Sequence, residues 1–225
     1  MTPLAVAAAL LFAVLGAVAE RVASVWPAEE ASRRGPGWRT GLLAIAAGAS
    51  ALAVVERSTL VPWATLAHLG FLAILTFLAA TDLEQRRLPH VLLDPLIVLA
   101  IGFVFVNPSV SLLDAVIGAT AAIAFLGILG LVIRSGVALG DLYLVAPMGL
   151  ILGWPAIFVA VFIAALLSSV TSLVLLASRR VSLRSYIPFG PFLVGGMVLT
   201  LLRDDRLLGP ATGIAGWLLR RLLGG

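Results

Sequence analysis

Arg134-Ser135-Gly136-Val137-Ala138-Leu139-Gly140-Asp141-Leu142-Tyr143-Leu144 is the stretch on which the reading of this chain turns. A glycine-bearing connection ends in an aspartate, and an apolar run starts at the next residue. An anion at the mouth of a membrane helix is costly unless it is solvated, paired or used, which makes Asp141 a candidate functional group. Taken alone it reads equally well as a helix N-cap. A second acid, Asp82, stands at the end of another apolar run, in Thr81-Asp82-Leu83-Glu84-Gln85-Arg86-Arg87-Leu88-Pro89-His90.

The composition sets the medium. Of the 225 residues 61% are hydrophobic and 12% charged, against about a quarter charged in a soluble domain. The chain therefore reads as an all-α polytopic membrane protein. Every basic residue is an arginine, and the net charge of +4 suits loops that face anionic headgroups rather than a nucleic-acid surface. With no cysteine, disulfides, Cys-ligated zinc and Cys nucleophiles are all excluded. His68 and His90 lie in different segments without ligand spacing, so neither a metal nor another cofactor is expected.

About 20 apolar residues make one membrane helix, and eight such spans follow in order. They run from about Pro3 to Val25, Gly41 to Val55, Pro62 to Ala80, Val91 to Val106 and Leu112 to Ile133. The sixth begins at Asp141 and ends near Gly153-Trp154-Pro155. The last two cover about Ala156 to Ala177 and Ile187 to Leu202. The first span ends in the cleavage-like Ala17-Val18-Ala19, but no basic side chain precedes it, so it reads as retained rather than as a signal peptide. The tail over 207–223 reads as an interfacial segment. We expect one membrane domain over 1–225, with its core at about 62–202. With both termini outside the cytoplasm, ten arginines fall on the inner side and five on the outer, as the positive-inside rule favours. Asp82 and Asp141 then share one depth, at the cytoplasmic ends of their helices.

Two carboxylates that share a site do not both ionise cheaply, so one holds a proton that the other lacks. The ionised one takes a proton from water while the other polarises a carbonyl, which is peptide hydrolysis without a covalent intermediate. The helix dipoles suggest that Asp141, at a helix start, is the anion and that Asp82, at or just past a helix end, keeps the proton. Asp114, in the first turn of its span, reads as structural. Asp94 reads as a cap at the cytoplasmic edge, with a third acid near the site as the alternative, His90 as a loop hydrogen-bonder and His68 as a polar contact inside a helix. Pro147, inside the sixth span, cannot donate to the carbonyl of Tyr143 and is expected to kink that helix.

The chain resembles a known family at three places. Asp82-Leu83 with Leu88-Pro89-His90 is similar to the family's Asp-Leu … Ile-Pro-Asn element. Gly140-Asp141-Leu142-Tyr143-Leu144-Val145-Ala146, with Gly149 and Leu152-Gly153-Trp154, resembles its Gly-x-Gly-Asp-x-Lys-Leu-x-Ala … Gly … Leu-Gly-Trp element. Ile187-Pro188-Phe189-Gly190-Pro191-Phe192 matches its Ile-Pro-Phe-Gly-Pro-Phe run. The family is the type IV prepilin peptidases, membrane aspartyl proteases of the Gly-x-Gly-Asp class. The resemblance implies removal of a short basic leader from type IV pilin-like or type II secretion pseudopilin precursors, at the cytoplasmic face of the inner membrane. It makes Asp82 and Asp141 the catalytic pair. It gives scaffold roles to Gly140, for close backbone approach, and to Pro188, Gly190 and Pro191, for a bend that faces the site.

Three departures stand out. The loop near Pro27 to Arg39 is short and lacks the two Cys-x-x-Cys pairs of many bacterial members, so peptidase activity without methyl transfer is expected. Ala138 replaces the first Gly of the motif, and Tyr143 stands where Lys is usual. Pro147 falls inside the sixth span. The rival readings are an inactive relative that serves as an assembly partner and a transporter that uses its membrane acids for an ion path. Transporter sites usually lie near the midplane on broken helices, whereas these acids stand at helix ends.

Overall fold

The computed structural model describes residues 1–26, 35–132, 138–179, 182 and 187–203. Among them the chain forms eight α-helices: α1 (Pro3–Ala23), α2 (Trp38–Arg57), α3 (Pro62–Gln85), α4 (His90–Val104), α5 (Leu112–Val132), α6 (Leu139–Leu152), α7 (Ala156–Ala177) and α8 (Gly190–Arg203). The polytopic membrane architecture is the one the apolar runs imply. Five helices, α1, α2, α3, α5 and α7, are long and apolar enough to cross a bilayer. Helices α4 and α6 have 15 and 14 residues, or about 21–23 Å at 1.5 Å per residue.

The helices run alternately up and down. The end of α1 meets the start of α2, where the Thr40 hydroxyl donates to Glu20 at 2.8 Å. The end of α1 also meets the end of α3, where Gln85 donates to the carbonyl of Ala23. At the opposite end, the Thr2 amide donates to the Glu56 carboxylate, and Trp63 of α3 sits edge-on to Phe103 of α4. The apolar core joins α3, α4, α5, α6, α7 and α8 around Leu75, Leu96, Leu126, Met148, Ile157 and Leu193. Many large apolar side chains face outward instead, among them Leu131, Phe162 and Leu173, as lipid contact requires.

Lipid is as apolar as leucine, so helices associate by close packing rather than by hiding oily surface. The α5–α6 seam shows how. A Cβ placed on Gly149 would lie 2.5 Å from the Ala119 Cα, and one on Gly118 would lie 2.7 Å from the Gly153 carbonyl carbon. Only backbone meets backbone there, and backbone cannot yield as a side-chain tip can.

The structure shifts three boundaries read from the sequence. Helix α3 continues past Ala80 to Gln85 and ends at Arg86, whose φ of 55° is left-handed. Asp82 is therefore inside the last turn, not beyond it. Helix α6 starts at Leu139, which makes Asp141 the third helical residue rather than the N-cap. Helix α8 starts at Gly190, after the Ile187-Pro188 stretch expected to be its beginning. The expected interfacial tail over 207–223 lies outside the described residues.

Gly149→Val is expected to drive the α5–α6 seam apart and to cost about 1–3 kcal/mol, the usual range for overpacking. Thermal unfolding of the purified protein in detergent checks this, with Gly127→Val, whose Cβ would meet nothing within 4 Å, as the control.

Candidate active site

The site is assembled at one end of the bundle from the end of α3, the α3–α4 connection, the start of α6 and the start of α8. Asp82 is 4% exposed and Asp141 3%. Each acid is held by a backbone amide. The Gly190 N–H, the first of α8, donates to Asp82 Oδ2 at 2.9 Å. The Ala138 N–H, at the N-cap of α6, donates to Asp141 Oδ2 at 3.3 Å. These are the donors that a helix start leaves without an intrahelical partner. The charges of Asp141 and Arg86 both act on Asp82.

Gly190 admits no other residue without rearrangement. A Cβ there would lie 2.5 Å from Asp82 Oδ2 and 3.1 Å from its carboxyl carbon. The flanking prolines fit the same turn. Neither Pro188 nor Pro191 has an N–H to satisfy, and Pro191 stands in the first turn of α8, where proline is tolerated. The Phe189 carbonyl takes the N–H groups of Phe192 and Leu193, both at 3.0 Å. At Gly140 the neighbour is a side chain rather than backbone: a Cβ there would lie 3.1 Å from Leu88 Cδ1. Leu88 thus spans from the α3–α4 connection to the start of α6.

These contacts modify the dipole contrast that the sequence suggests. Asp82 does lie at the end of α3, but the N–H it binds opens α8. Both acids therefore sit against a helix N-terminus, where an anion is favoured. Helix ends alone no longer separate their roles.

The lesser candidates fall where their chemistry allows. Asp94 and His90, mostly exposed, pair at 3.3 Å one turn apart on α4, and the His90 ring sits edge-on to Tyr143 at 5.2 Å. His68 is buried with its Nδ1 2.8 Å from the Ala64 carbonyl, remote from the acids at the other end of α3. Asp114 is buried and accepts from the Ser111 hydroxyl at 2.6 Å, in the structural position expected. Helix α6 continues through the buried Pro147.

Three polar links beside the site have no forecast in the sequence reading. Arg39 donates to Glu84 at 3.1 Å, and the Glu84 side chain is 2% exposed. Thr40 holds the buried Glu20. Gln85 is buried and reaches Ala23. The one available signal was Glu20, an acid inside an otherwise apolar first span.

Residues 69–173 match the model of the type IV leader peptidase family. This region of the chain belongs to that family. The match takes in both Asp82 and Asp141 and stops before Gly190. The chain is 34% identical over 161 residues to a protein from Aeromonas salmonicida (strain A449) named prepilin leader peptidase/N-methyltransferase, covering 68% of this chain and 55% of that one. Proteins of the same name from Aeromonas hydrophila and Burkholderia pseudomallei (strain 1026b) are 34% and 35% identical, covering 68% and 73% of this chain and 56% and 55% of theirs. The chain thus spans about half the length of these relatives. No solved structure matches it.

Gly190→Ala is expected to displace the Asp82 carboxylate and, by breaking the buried bond between α3 and α8, to lower stability by about 1–3 kcal/mol. Thermal unfolding of the purified protein in detergent, compared with wild type, checks this.

Proposed function

We propose that the chain is an intramembrane aspartic endopeptidase that removes the short basic leader from type IV pilin-like or pseudopilin precursors. The cut falls at the cytoplasmic face of the inner membrane. One observation supports this most: two buried carboxylates from distant parts of the chain lie at the same end of the bundle, and each is oriented by a helix-start amide. The family of residues 69–173 and the names of its relatives supply the substrate class.

The chemistry follows from the pair. One carboxylate takes a proton from a water molecule as the water oxygen attacks the scissile carbonyl carbon. The other, protonated, gives its proton to the carbonyl oxygen, and a neutral tetrahedral diol results. That intermediate collapses as the first acid returns its proton to the leaving nitrogen and the C–N bond breaks. A hydroxyl proton passes back to the second acid, which restores the starting state. The Gly190 and Ala138 amides hold one oxygen of each acid and leave the other for water and substrate. Because the two acids share one proton, they titrate as a unit.

We assign no methyl transfer to this chain, because it contains no cysteine and the loop that holds the Cys-x-x-Cys pairs in many relatives is short here. The mass of the product's new N-terminus distinguishes a free amine from a methylated one.

Co-expression with a pilin-like precursor tests the activity. Asp82→Asn and Asp141→Asn are each expected to lower cleavage by about 10²–10⁴-fold, the usual contribution of a general acid or base. The rate should fall at both pH extremes, where the pair is doubly protonated or doubly ionised. Equal cutting by wild type and both variants would sink the dyad.

A further inference from the structure

Gln85 is 3% exposed. Its amide nitrogen donates to the Ala23 carbonyl at 2.5 Å. Its carbonyl oxygen has no donor among the described residues. A buried amide oxygen left without a donor is unfavourable, and native folds rarely keep one without a reason. The bond to Ala23 fixes which end of the amide is committed to the protein, and the oxygen is the end left over.

The position of that oxygen narrows what fills it. Gln85 follows Asp82 by three residues on α3, so the two side chains leave one face of the helix about a turn apart, roughly 5–6 Å between Cβ atoms. An extended peptide advances about 3.3 Å per residue. A peptide with its scissile carbonyl at the acid pair therefore brings an N–H one or two residues away to the neighbourhood of Gln85. A peptide bond must also leave its helix before water attacks it, and at the membrane edge the freed N–H groups need new acceptors. A neutral carbonyl meets that need without adding a third negative charge beside Asp82 and Asp141.

We propose that the Gln85 carbonyl oxygen binds substrate by accepting a backbone N–H of the unwound precursor, on the leader side of the cut. The inference rests on the peptidase reading above, in which α3 runs past Asp82 toward the face where the leader lies.

The test uses the full chain in nanodiscs and synthetic precursor peptides. In each peptide one amide near the cut is replaced by an ester, which deletes one N–H at a time. Wild type and Gln85→Met, similar in size but without the acceptor, are compared on the whole series. One ester on the leader side is expected to lower kcat/KM in wild type by about five- to tenfold, the net worth of one neutral hydrogen bond. The same ester should have no effect in Gln85→Met, the coupling of a double-mutant cycle. If the lost Ala23 bond is all that matters, Gln85→Met slows every peptide alike without coupling, and the proposal falls. If both proteins respond equally to every ester, the oxygen holds only water, and the proposal falls again. Affinities of the same peptides for Asp141→Asn and for Asp141→Asn with Gln85→Met separate the two readings. Position-specific coupling in affinity upholds Gln85 even if wild type cuts nothing, which would overturn the peptidase reading alone. Absence of coupling in affinity and in cleavage overturns the Gln85 assignment whether or not cleavage occurs.

Discussion

The hydrogen bond from the Gly190 amide to the Asp82 carboxylate is the contact on which the site depends. It joins residues 108 apart in sequence, and it answers two needs at once. Helix α8 begins with an amide that its own helix cannot satisfy, and α3 ends with a carboxylate that the membrane interior does not solvate. Both groups are buried, so each is worth more to the other than a surface pair would be. The missing side chain at Gly190 is what lets them meet.

The rest of the end of the bundle supports that contact. Glu84 is tied to Arg39 and Gln85 to Ala23, so α2 and α1 are each fastened to the last turn of α3 by one polar link, while Thr40 and Glu20 join α1 to α2. Buried links of this kind are costly to break singly, because the partner is left without a counterpart. Helices α1 and α2 lie outside residues 69–173, yet they brace the turn that carries Asp82. On the far side, Leu88 presses on Gly140 and sets the start of α6 against the same turn.

Much of this was legible in the sequence, for identifiable reasons. Apolar runs bounded by Gly, Pro and charge gave the helices, and acids are so rare inside such runs that Asp82 and Asp141 stood out. Boundaries were harder. Asp82, Glu84 and Gln85 look like the opening of a solvated loop, and only tertiary burial against α1, α2 and α8 shows that they close a helix. For that reason Gln85 carried no signal: a glutamine between a glutamate and two arginines reads as surface. The Gly190 run was recognisable as a motif, but the bond it makes was not, since no local rule joins positions 82 and 190. The dipole contrast between the acids failed to anticipate the amide of α8 for the same reason.

Helices α4 and α6 pack against each other and, at about 21–23 Å, fall short of a hydrocarbon core about 30 Å thick. A bilayer meets such a patch by thinning, and hydrophobic mismatch of this kind costs a fraction of a kcal/mol for each ångström. Since α6 carries Asp141 and α4 follows directly from the Asp82 turn, bilayer thinning against these two helices would fall beside the acid pair. Lipid chain length would thereby become a variable of the site itself.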